Sequence, residues 1–201
     1  DALYVALCRQ LAERPRSLAW LLDAEPSQRK PNLLLAALHA RVLAGGARTL
    51  QPYYASAGGT RTPDAALASA LDTALQEEHD ALAHLVATRS PQTNEIGRCA
   101  VLWPALTVMA AGRGIDAVAL LDFGCSAGLN LGVDGYGYDY GALSLGSPEP
   151  RAPRIACRIV GGRPLQAGAS PPRVVQRLGI DPAPIDVHDE AQVAWLRACL
   201  W

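Results

Sequence analysis

The sequence predicts an α/β protein in which an N-terminal helical cap precedes an incomplete parallel-sheet unit. Three observations carry this. Apolar residues recur at helical spacing through about the first 112 positions. Asp116–Phe123 is then a short apolar run bounded by glycines, which reads as a buried parallel-type strand. The turn Gly124-Cys-Ser-Ala-Gly128 follows it directly. The expected division is a cap over residues 1–114 and an α/β core over 115–201, with a loop-rich insertion at about 136–172.

Leu3, Leu7 and Leu11 mark a first amphipathic helix. Ser17 is placed to cap a second, carrying Leu18, Leu21 and Leu22. Pro31 suits the first turn of a helix over 32–44, which Gly45 and Gly46 end. Thr62-Pro63-Asp64 opens a long helix to about Thr88, with Leu67, Leu71, Leu75, Leu82 and Leu85 on one face. Ser90-Pro91 opens another, which runs to Gly112-Arg113-Gly114. Past the strand and its turn comes a short helical pattern. Further strands are expected within Arg154–Val160 and Arg173–Leu178, and Asp189 caps a final helix carrying Val193, Leu196 and Leu200.

With 201 residues the chain can bury about 70% of its unfolded surface, so its core needs no staples. Residues 1–112 hold ten cations and ten acids, and residues 113–201 hold eight and nine. Neither half carries the basic surplus that nucleic acid or a membrane surface would require. No apolar run approaches a membrane span, and no signal peptide opens the chain. The five cysteines form no CxxC or zinc spacing, so they read as reduced thiols of a cytoplasmic protein without a metal site.

Asp122-Phe-Gly124-Cys-Ser126-Ala-Gly128 carries the chemistry. Read as Asp-x-Gly-x-Ser-x-Gly after a strand, it resembles the first motif of S-adenosylmethionine-dependent methyltransferases. Small residues would let the cofactor approach the backbone, the next helix would offer free N–H groups, and Asp122 would order the loop. Read as Gly124-x-Ser126-x-Gly128, the same residues are a nucleophile elbow for a serine hydrolase. A plain tight turn is the third reading, and it fits a non-catalytic interaction module. Asp134 and Asp139 lie near the usual distance for a ribose-binding acid. Asp181, in Leu178-Gly-Ile-Asp181-Pro, has the better strand-end setting.

Gln92, Asn94, Glu95 and Arg98 form a polar stretch entering an apolar helix, with Asn94 and Arg98 on one face and a Glu95–Arg98 pair. They are the candidates for contact with a small-molecule substrate. Tyr136, Tyr138 and Tyr140 alternate and can share one side of an extended segment, over a ligand or packed on the body.

Several stretches occur together in order. They are Lys30-Pro31-Asn32, Gln92-Thr-Asn-Glu95-Ile-Gly97-Arg98-Cys99, Ser126-Ala-Gly128-Leu-Asn130, Tyr136-x-Tyr138-x-Tyr140-Gly141 and Asp181-Pro-Ala-Pro184-Ile-Asp186. In this the chain resembles the bacterial domain-of-unknown-function family 2332, and specifically the N-terminal portion of its longer members. The resemblance implies a helical cap on a Rossmann-like, methyltransferase-type core, and no reaction. An incomplete sheet would leave a strand edge open to a homodimer.

Overall fold

The computed structural model describes residues 1–92, 94–161 and 170–200. Its elements in chain order are α1 (Ala2–Ala12), α2 (Pro31–Leu43), α3 (Leu67–Glu77), α4 (His79–Thr88), α5 (Cys99–Arg113), β1 (Ala117–Phe123), β2 (Gly137–Asp139), β3 (Ser144–Gly146), β4 (Arg154–Ala156), β5 (Arg173–Ile180) and α6 (Glu190–Ala198). The fold is mixed α/β, with one two-stranded parallel sheet and one three-stranded mixed sheet, and no closed barrel among the described residues. Close packing gathers the chain into two units, Asp1–Thr93 with Val187–Trp201 and Asn94–Asp186. Thus α5, which the sequence groups with the cap, belongs to the strand-bearing unit, and α6 rejoins the helical one. Residues 162–169 of the expected insertion lie outside the described residues.

In the helical unit the core is built around α2. Pro31 occupies its first turn, where a missing N–H costs nothing, and Leu33, Leu34, Leu35, Leu38 and Val42 are buried. Leu3, Leu7 and Leu11 of α1, Leu71 and Leu75 of α3, and Leu82 and Val86 of α4 close over it. The anticipated second helix is a 3-10 turn, Ala19–Asp23, and Ser17 does not cap it. The long helix expected to Thr88 is two helices, broken at Glu78. Glu78 leaves helical geometry where its carboxylate accepts from Arg41 Nε at 2.6 Å and from the Ala47 amide at 2.8 Å. Asp189 caps α6 through the amides of Ala191 and Gln192.

The strand-bearing unit holds a second core, of Cys99, Ala100, Trp103, Val133, Tyr138, Tyr140 and Ile155. Pro104 lies inside α5, and without an N–H it cannot fill the carbonyl of Ala100. The Tyr140 hydroxyl does so instead, at 2.5 Å. Tyr136 and Tyr138 likewise donate to the carbonyls of Leu129 and Val133. All three tyrosines of the alternating stretch therefore pack their loop onto its own unit. β2 pairs antiparallel with β3 and parallel with β4. β1 and β5 run parallel, with Asp122 opposite Gly179 and Phe123 opposite Ile180. One face of this pair is open to solvent, with Leu121, Phe123, Leu178 and Ile180 between 47% and 71% exposed.

Candidate functional site

The parallel register puts the carboxyl ends of β1 and β5 side by side, and both loops that leave them carry candidate residues. The β1 loop turns through three left-handed positions, Gly124 at φ +76°, Ser126 at +51° and Gly128 at +70°. Glycine reaches this region freely, whereas Ser126 must be held there. The amides of Gly124 and Cys125 both reach Ile180 O, at 2.8 and 3.4 Å. The Ser126 amide donates to Asp181 Oδ2 at 2.8 Å, and the Ser126 carbonyl accepts from Ile185 at 3.1 Å. Asp181 Oδ1 accepts from the Ala183 amide at 2.8 Å, closing an Asx turn before Pro184.

Asn94 enters from the other side. Its side chain is buried, and Nδ2 donates to Cys125 O at 2.7 Å and more weakly to Gly124 O at 3.4 Å. Gly179 faces the loop closely, because a Cβ there would meet Cys125 Sγ at 2.6 Å. Three buried polar atoms at the loop, Asp122 Oδ2, Ser126 Oγ and Asn94 Oδ1, have no hydrogen-bond partner among the described residues. All three can accept, Ser126 Oγ can also donate, and an unmet buried polar atom is costly. Next to Asp122 lies a cavity of about 380 Å³, whose walls include Arg98, Leu102, Leu106, Leu120 and Asn130. Asn130 is buried and accepts from the Cys99 thiol at 3.4 Å; burial pushes that thiol up to about 11, so it stays protonated as a donor.

The structure thus brings together Asp122, Gly124, Ser126, Gly128, Asp181 and Asn94, with Arg98 and Asp122 sharing a cavity. Other expectations are corrected. Pro91, Gln92, Asn94 and Glu95 are not helical, and a 3-10 turn follows at Ile96–Arg98. Asn94 and Arg98 therefore do not share a helical face. Glu95 caps that turn through the Gly97 amide and lies 3.8 Å from Arg98. Gln92 falls in the helical unit, where its amide donates to Cys199 Sγ at 3.3 Å. Thr93 lies outside the described residues. The segment after Gly128 is a seven-residue 3-10 helix, Leu129–Gly135, so the loop does not run into an α-helix. Asp134 is held by Arg177 at 2.6 Å and Asp139 by the Gly141 amide at 2.8 Å, while Asp181 directly follows β5 and reaches the β1 loop. Asn130, which the sequence does not single out as a site residue, is buried and lines the cavity beside Asp122. Its signal was a lone amide between leucines, in the same short stretch as the glycines.

With this geometry in view, comparison with protein families matches residues 2–201 to one described as an uncharacterized protein conserved in bacteria, DUF2332. The chain belongs to this family. Comparisons with curated proteins and with solved structures return no match. The DUF2332 match spans both units, so the helical elements and the glycine loop are parts of one family architecture. No group of three metal-ligating side chains occurs among the described residues. No described helix is long and apolar enough to cross a membrane.

Proposed function

We propose that the Asn94–Asp186 unit binds a nucleoside-type cofactor, S-adenosylmethionine, in a Rossmann-like crevice at the carboxyl ends of β1 and β5, as a methyltransferase-like enzyme would. The observation that carries this is the Ser126 amide bonded to Asp181 across 55 residues of chain. It joins a glycine turn to the acid of the neighbouring parallel strand, the usual place for a ligand in an open α/β sheet. The orphaned acceptors favour a ligand rich in O–H and N–H donors, such as ribose hydroxyls and an ammonium group. Asp122 would receive the ammonium and Arg98 the carboxylate of the amino-acid end, in the cavity they share. Asp181 already bonds two amides but keeps a further acceptor direction on each oxygen for a ribose hydroxyl. Gly124 and Gly128 leave the two ends of the loop without side chains. When bound, the cofactor supplies an electrophilic methyl group, and the protein's part is to align an acceptor with it.

Calorimetric titration of S-adenosylhomocysteine into the protein tests this reading. Micromolar binding, lost in Gly128→Val and weakened about tenfold or more in Asp122→Asn, is the expected result. No binding to the unaltered protein would reduce the loop to a structural turn.

The elbow reading gains less from the geometry. The left-handed Ser126 suits it, but Ser126 is only 4% exposed and its hydroxyl has no base within hydrogen-bond reach among the described residues. A non-catalytic interaction role is favoured by one observation, the apolar face of Leu121, Phe123, Leu178 and Ile180. It predicts self-association, which Phe123→Lys in light scattering would abolish.

A further inference from the structure

We infer that the helical unit carries a second binding site, for an amphiphilic oxyanion: a carboxylate or phosphate head on an apolar body. An open cavity of about 540 Å³, within the range of small-molecule sites, is lined by α2, the 3-10 turns after it, the end of α4 and α6. Its floor is apolar, with Leu43, Ala57, Leu85, Ala194 and Trp195.

Three arginines converge on it. Arg41 is committed to Glu78 at 2.6 Å. Arg89 lies over the Trp195 ring at 5.7 Å, and Arg197 is in the last turn of α6. Neither Arg89 nor Arg197 has a carboxylate at ion-pair distance among the described residues. Cations near helix ends commonly answer the helix dipole. Yet neither of these guanidiniums donates to a terminal carbonyl among the described residues, so five N–H groups on each remain unspent. Asp189, whose carboxylate feels the charge of Arg89, spends its oxygens on Ala191 and Gln192. Unspent guanidinium forks at the rim of an apolar cavity match a planar oxyanion with a hydrophobic tail.

The test titrates octanoate, octyl phosphate, 1-octanol and inorganic phosphate into the full chain by calorimetry. At least one octyl anion should bind roughly tenfold or more tighter than octanol. Which anion binds identifies the head group. Arg89→Gln and Arg197→Gln should each weaken that anion by about tenfold while thermal unfolding stays where it was. Ala194→Phe, made at an exposed position of α6, should fill the cavity and remove binding. The inference falls if neither anion binds, if octanol binds as tightly, if inorganic phosphate matches octyl phosphate, or if the double arginine variant keeps its affinity. Binding unaffected by Gly128→Val separates this site from the proposed cofactor crevice.

Discussion

Tyr140 donates its hydroxyl to the carbonyl of Ala100, the acceptor that Pro104, four residues further on, has no N–H to fill. The two departures from rule, a proline within a helix and a buried phenol, answer each other. Tyr140→Phe should therefore destabilise the protein by about 1–2 kcal/mol, since it strands a buried carbonyl. In a Pro104→Ala background, where the restored amide can reach that carbonyl, most of the loss should disappear. Urea unfolding of the four proteins in the cycle measures this, and equal losses in both backgrounds would refute it.

Gly179 has no room for a methyl group, because its Cβ would lie 2.6 Å from Cys125 Sγ and 2.9 Å from Cys125 Cβ. Gly179→Ala should cost about 1–3 kcal/mol by overpacking. Adding Cys125→Gly removes both clashing atoms and should recover part of the loss in the same unfolding assay.

Asn94 ties residues before α5 to the β1 loop. Asn94→Leu removes the donor that Cys125 O receives at 2.7 Å and should cost about 1–3 kcal/mol. Asn94→Asp should be worse at neutral pH, since it sets a carboxylate against two carbonyls. That excess should shrink as pH falls far enough to protonate it, and a thermal-shift series across pH reads the difference.

His39 is buried, with Nδ1 at 3.0 Å from Ala198 O and Nε2 at 2.6 Å from Ser56 Oγ. Burial lowers its pKa; the Ala198 contact opposes this, and Arg197 adds to the lowering. The unfolded chain takes up a proton near pH 6.5 that the folded chain refuses. The stability due to neutral His39 is thus complete above about pH 6.5 and is lost as pH falls below it. His39→Gln should flatten this part of the melting-temperature profile. An unchanged slope between the two proteins would show that other groups set it.

Much of the fold was legible because the signals were local. Pro31 with the leucines after it located α2, the apolar run ending in Phe123 located β1, and Asp189 located the start of α6. Arg173–Ile180 extends two residues past the expected strand, and those two residues deliver Asp181 to the β1 loop. What could not be read was set by distant partners. The break at Glu78 depends on Arg41 and Ala47, and the role of Asn94 depends on carbonyls some 30 residues away. β2 and β3, at three residues each, are too short to show a period. Within the site, glycine spacing marked the loop, whereas Asn130 became visible only once burial was known.

The helical unit is completed by α6, whose Ala198 carbonyl meets His39 of α2 and whose Trp195 indole meets the Ser90 carbonyl. A ribosome therefore releases the first 93 residues long before their last helix exists, while 94–186 emerge as one continuous stretch. The usual order of vectorial folding, first-made first-folded, is reversed here. Residues 94–186 can settle during synthesis, whereas residues 1–93 must wait, with part of their leucine core uncovered, for α6 to emerge.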